Sequence, residues 1–461
     1  MSTAVSPSTS TQTPVVRSRR DSFTLPLATR RALLDGGELD PVRYQSDLID
    51  YIRAADPVVR AFADWRPGDL ERSDVPRTCT VTYKDTIDVA GFATRLGIRT
   101  GFRNYPHRSA LIASRLSAQG LVCVGKAAVT ECALGTERPS RNPVFAELSA
   151  SGSSTGSAAA VAAGFCDVSV GTDSGGSIRW PAVYCGATAL RLTSSPRWLA
   201  GVHTVSPSLE SVGLVVRTPA DLVWLWRTHR LGVALDAPPV AVPGRLRVGV
   251  STPPGDPLHP EVAAMLTGVI RGLTRRGHLV RRPDLTSVWA HRPKAWELLS
   301  REANDSFGSL LDRKDVLLAD DTRRAIRAGS ATSDQRYADL LGLRHATRAR
   351  FDALLSDDLD LLLIPLEAGL PDRAERHYDS TVPTAARDGS GDSVQPAAVD
   401  LTMTIVASFA GLPVLALPMG LSAAGAPIGL QVIARAHAEH LLVAVAELFA
   451  DLADHDEEGR R

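Results

Sequence analysis

The sequence predicts an α/β fold in which a large mixed, mostly parallel sheet is covered by helices on both faces. Three observations carry that expectation. Apolar runs with strand character alternate with segments of helical apolar spacing. Several of the strand runs are continuously apolar, as strands buried on both faces are. No internal repeat interrupts the alternation, and 461 residues at 44% hydrophobic content suffice for a large core.

Taken in order, residues 1–20 are rich in Ser, Thr and Pro and lack the apolar core of a secretory signal. They are expected to be a disordered tail, with Arg17, Arg19 and Arg20 solvated, ahead of a single domain over 21–455. Leu246 to Val250 predicts a strand, Pro260 to Arg276 a helix and Leu279 to Arg281 another strand. Tyr337 to Leu355 has helical spacing, and Leu359 to Pro365 is a continuous apolar strand. Leu366 to Gln395, with ARDGSGDS near its end, predicts a long connection, either part of a substrate lid or a disordered surface loop. Leu401 to Ala424 is long and uncharged enough to raise the question of a membrane span. Pro413, Pro418, Gly411 and Gly420 interrupt it, so it predicts a buried helix, a turn and a core strand at Val414 to Leu417.

Charge and cysteine usage exclude several functions. Lys plus Arg equals Asp plus Glu, 51 each, so nothing in the charge balance favours nucleic acid or an anionic membrane as partner. Cys79, Cys123, Cys132, Cys166 and Cys185 form an odd set without metal-finger spacing. Buried thiols in a reducing, cytoplasmic setting are the expectation. The eleven histidines are scattered, and His437 with His440 reads as a helix-surface pair rather than a metal site.

Three runs carry chemistry. KDTIDVAG offers Lys84 as a base, SGSSTGSAAAVAAG offers Ser153, and GTDSGGSIR offers Ser177. A serine hydroxyl is a poor nucleophile until a base takes its proton. Lys84 serves only as the neutral amine, which requires about 4 kcal/mol to bring its pKa from about 10.4 to near 7. Val81, Tyr83, Ile87, Val89 and Ala90 supply an apolar setting in which burial works in that direction. Ser153, both donor and acceptor, suits a proton relay between Lys84 and Ser177. The glycines before Ser177 let successive amides converge, so Ser174, Gly175, Gly176 and Ser177 are candidates for an oxyanion hole. Asp173 and Arg179 flank that turn and are expected to brace it as an ion pair.

These runs resemble the amidase signature family. The similarity extends from about Leu25 to Leu452 and is strongest in Lys84 to Gly97, Ser151 to Gly164 and Gly171 to Ala182. The resemblance implies the amidase signature fold and a Ser-cisSer-Lys triad, with Lys84 as base, Ser153 as bridging serine after a cis Gly152–Ser153 peptide, and Ser177 as nucleophile. It implies supporting roles around Gly152, Ser154, Asp173 and Arg179, a small-molecule amide as substrate, no metal or organic cofactor, and a reasonable homodimer. The sequence departs from the pattern at Ser151, Thr155, Ala127, Ala128, Ser408 and in the run Ala189, Leu190, Arg191, Leu192. Those departures bear on bonding behind the triad and on substrate shape.

The expected reaction is amide hydrolysis through a Ser177 acyl-enzyme. Two alternatives stay open: acyl transfer to an amine with the same triad, and a non-catalytic relative. A GxSxG reading of Gly152 to Gly156 would make Ser154 an esterase nucleophile, but AELSAS ahead of it is a poor buried strand. Neither glycine run contains the GxxxxGK[ST] pattern of a phosphate-binding loop.

Overall fold

The structure is a computed structural model that describes residue 21 and residues 23–71, 79–371 and 401–458. The expected tail at 1–20 lies outside the described residues, as does most of the expected lid over 366–395. Eleven strands form one sheet: β1 (Phe62–Trp65), β2 (Thr80–Lys84), β3 (Val122–Ala127), β4 (Val168–Asp173), β5 (Thr188–Arg191), β6 (Ser211–Val216), β7 (Arg247–Val250), β8 (Leu279–Arg281), β9 (Leu361–Pro365), β10 (Val414–Leu421) and β11 (Pro427–Ile433). Their order across the sheet is β1-β3-β2-β4-β6-β5-β10-β11-β9-β7-β8.

Helices cover both faces. Along β9, Leu361 and Leu363 face the layer that holds Leu222, Met265 and Phe449, whereas Leu362 and Ile364 face Leu298, Phe351 and Ile405. The period-2 alternation of a strand therefore sends consecutive leucines into opposite helical layers. This explains why β9 reads as an unbroken apolar run. The run from Leu401 resolves as expected, into the helix Leu401–Ala410 and strand β10. No helix among the described residues is long and apolar enough to cross a membrane.

The sheet is mixed, but parallel pairings are not in the majority. Only β2 with β3, β2 with β4, β7 with β8 and β7 with β9 are parallel. The other six pairings, including β4 with β6 and β10 with β11, are antiparallel. The physical reason is that two covered faces make an antiparallel strand as apolar as a parallel one; all seven residues of β11 are buried.

Three strand ends meet at one edge and position the site. Parallel β2 and β4 run side by side, pairing Val81 with Val168 and Tyr83 with Val170, so Lys84 and Asp173 emerge together. Antiparallel β6 starts at the same edge, Ser211 opposite Asp173. Helix Thr155–Ala163 packs behind them, with all nine residues buried. Its Gly156 permits that approach, because a Cβ there would lie 2.3 Å from both Ala128 N and Ala61 O.

Candidate active site

Lys84 is the last residue of β2 and is wholly buried. Its Nζ donates to Ser153 Oγ at 2.8 Å, to Thr172 Oγ1 at 2.9 Å and to Thr172 O at 3.2 Å. Burial pulls its pKa down to about 8, against the carboxylates of Glu210 and Asp173, which pull it up. Ser153 stands on the turn before helix Thr155–Ala163, and the Gly152–Ser153 peptide is cis.

Ser177 lies on the turn between β4 and helix Arg179–Tyr184. It is half-buried, whereas every other residue from 171 to 185 is buried. Its hydroxyl takes no hydrogen bond from another described residue. The two serine turns are tied by Ser154, whose N–H donates to Ser177 O at 3.1 Å and whose hydroxyl donates to Thr172 O at 3.4 Å. Ser154 is thus buried and engaged, and no strand precedes it, so an esterase elbow is absent from this segment.

Asp173 organises the Ser177 turn from beneath. Its Oδ1 accepts from Gly176 N at 2.8 Å and its Oδ2 from Ile178 N at 3.3 Å. Arg179 grips both oxygens, Nε to Oδ2 at 2.9 Å and Nη2 to Oδ1 at 2.8 Å. Burial pushes the Asp173 carboxyl up, but Arg179, Arg191 and the Gly176 amide outweigh it and hold the group well below the usual carboxylate range. Arg179 also reaches Thr404 O at 2.9 Å, Gln431 Oε1 at 2.6 Å and Ser408 Oγ at 2.7 Å. The turn is completed by Gly176 at φ 131°, where a side chain would also strike Thr404, and by a Thr404 hydroxyl bond to Gly175 O.

The expected oxyanion set loses one donor. Gly176 N–H is engaged by Asp173, so it is not an unengaged donor alongside the amides of Ser174, Gly175 and Ser177. Those three amides meet no acceptor among the described residues. The apolar neighbours of this turn are Ile405 and Trp296, whose Cδ1 and Cη2 would lie 3.2 and 3.3 Å from a Cβ on Gly175.

Sequence reasoning missed Thr172 and Glu210. Thr172 sits inside the GTDSGGS run, so its closeness to Asp173 was a usable signal. Glu210 is an isolated acid at the head of the apolar run SVGLVV, and that oddity was the only other hint. Of the histidines, His440 accepts from Trp226 Nε1 at 3.3 Å, while His437 falls in the turn before helix Glu439–Ala444 rather than on it. No cluster of metal-ligating side chains occurs among the described residues.

A family model described as Amidase matches residues 78–443, the stretch that holds every group described above. The chain belongs to the amidase signature family. Among similar amidase relatives, the A subunit of the glutamyl-tRNA(Gln) amidotransferase from Roseiflexus sp. (strain RS-1) is 30% identical, over 93% of this chain and 96% of that protein. The solved structure of an amidase superimposes with a TM-score of 0.75 at 25% identity, covering 92% of this chain and 98% of the other. A 6-aminohexanoate cyclic dimer hydrolase, solved with its substrate, shares the fold at a TM-score of 0.77 and 24% identity, covering 94% and 98% of the two chains.

Proposed function

We propose that this amidase-family chain cleaves a small-molecule carboxylic amide through an acyl-enzyme on Ser177. The observation that carries the reading is the wholly buried Lys84 amine 2.8 Å from Ser153 Oγ, beside a turn in which Ser177 alone is half-buried rather than buried. At a pKa of about 8, a useful share of Lys84 is neutral near pH 7 and accepts a proton. Ser177 Oγ attacks the carbonyl carbon, its proton passes to Ser153, and the Ser153 proton passes to Lys84. The amides of Ser174, Gly175 and Ser177 stabilise the oxyanion, each such donor being worth about 3 kcal/mol. The proton then returns along the same path to the leaving amine, and water releases the acyl group. The Asp173–Arg179 pair keeps the turn in shape throughout.

A serine-directed fluorophosphonate probe tests the nucleophile. Labelling of the native chain, abolished in Ser177→Ala, is the expected result; labelling that persists in that variant would remove Ser177 from its role.

The similarity to a component of a glutamyl-tRNA(Gln) amidotransferase favours a second reading, in which an amine rather than water resolves the acyl-enzyme. Product analysis with an acyl donor, with and without candidate amines, separates the two. Amide formation faster than hydrolysis would make the chain an acyltransferase.

A further inference from the structure

Behind Lys84 stands a buried carboxylate that the proposed proton path does not use. Glu210 is 1% exposed. Its position follows from sheet register: Thr172 of β4 pairs with Val212 of β6, so Glu210, two residues earlier, is the diagonal same-face neighbour of Thr172. The Thr172 hydroxyl, which acts with Lys84 to lower the Glu210 carboxyl against the burial that raises it, receives Lys84 Nζ at 2.9 Å. A hydroxyl carries one proton, so giving it to Glu210 leaves the oxygen lone pairs aimed at Lys84. Glu210 is itself held by Val205 N at 2.7 Å and Ser206 N at 3.4 Å, both to Oε2.

We propose that Glu210, acting through the Thr172 hydroxyl, is a positioning residue that sets the basicity of Lys84, making Ser153, Lys84, Thr172 and Glu210 one hydrogen-bonded chain. The inference rests on the triad reading and deepens it. Burial alone weakens a lysine as a base, since it favours the neutral amine. A carboxylate one hydroxyl away opposes that loss and keeps Lys84 strong enough to take a proton from Ser153. The other charges around Lys84 are committed elsewhere. Asp173 is paired with Arg179 at 2.8 Å and Arg191 at 3.4 Å, and the neighbouring Lys126 with Asp85 at 3.1 Å. Glu210 faces Lys84 with no arginine between them in the contacts it makes, so it is the carboxylate whose removal Lys84 feels most, and it is the leading charge acting on that amine.

The test is the rate of fluorophosphonate labelling as a function of pH, from about pH 5.5 to about pH 10, for the native chain, Glu210→Gln, Thr172→Val and Thr172→Ser. The acid limb of the native profile reports Lys84. In Glu210→Gln it moves about one pH unit lower, the usual effect of losing an opposite charge at this range, and the plateau falls severalfold because the base is weaker. Thr172→Val moves the limb in the same direction, and Thr172→Ser restores it. A purely structural role for Glu210 would lower the melting temperature and leave the limb in place. Superimposed profiles for the native chain, Glu210→Gln and Thr172→Val overturn the inference while leaving the triad standing. If Glu210→Gln does not fold, the valine and serine variants of Thr172 decide the matter by the same shift. Failure of the native chain to label, or labelling untouched in Ser177→Ala, overturns the triad reading, and this inference falls with it.

Discussion

Replacing Lys84 by Met should make the protein's stability respond differently to pH, and the size of the difference follows from the site. Methionine keeps the unbranched stem in the same buried space and removes the titrating group. In the native chain the amine has an ordinary pKa of 10.5 when unfolded and about 8 when folded. The folded pKa is the lower of the two, so between about pH 8 and 10.5 the unfolded chain binds more protons and native stability rises with pH. Below that window the buried amine costs about 3 kcal/mol, from 1.36 kcal/mol per tenfold change. Linkage over the window gives about 1 kcal/mol of native stability regained between pH 7 and pH 9. The bonds Lys84 makes to Ser153 and Thr172 are lost in the variant at both pH values and cancel in the comparison. Urea unfolding of both proteins at the two pH values measures it. The stability difference, variant minus native, should fall by about 1 kcal/mol or more from pH 7 to pH 9. A difference that stays constant or grows would show that Lys84 is not a buried, depressed base.

Two further predictions concern the frame of the site. Lys126→Met leaves Asp85 buried with Arg95 N as its remaining donor among the bonds described, and breaking such a pair typically costs about 3–5 kcal/mol; a urea unfolding free energy within about 1 kcal/mol of native would contradict it. Ser151→Gly should raise the melting temperature, because Ser151 sits at φ 56°, where a Cβ costs about 1 kcal/mol, and its N–H bond to Ser149 Oγ survives the change. A lower melting temperature in that variant would mean that the serine side chain stabilises the turn by more than the backbone opposes it.

What was legible in the sequence was written in contiguous runs. Lys84, Ser153 and Ser177 each announce themselves by neighbours a few residues away, because a tight turn needs its glycines and small residues in sequence. The same holds for the Asp173–Arg179 pair, six residues apart and closed within one turn. Strand direction was not legible. Strands such as β9 and β11 are buried throughout, and their antiparallel pairing depends on where intervening helices return the chain. Glu210 was hidden for a related reason. Its link to Thr172 spans the register of β4 on β6, and no local pattern encodes a cross-strand diagonal.

Two of the departures from the family pattern, Arg191 and Ser408, share a physical meaning. Arg191 pairs with Asp173 at 3.4 Å and donates to the carbonyls of Leu412 and Leu209, both at 2.6 Å. Ser408 receives Arg179 Nη2 at 2.7 Å and lies 3.4 Å from Asp173 Oδ1. Both unusual residues therefore converge on the carboxylate that holds the Gly176 amide. Changes there act on the shape of the Ser177 turn without touching Lys84, Ser153 or Ser177 directly. A two-arginine grip on Asp173 offsets part of the pull its charge exerts on Lys84. Asp173 and Glu210 both pull Lys84 up, Glu210 first, so base strength rests chiefly on a carboxylate that makes none of the bonds described in the Ser177 turn.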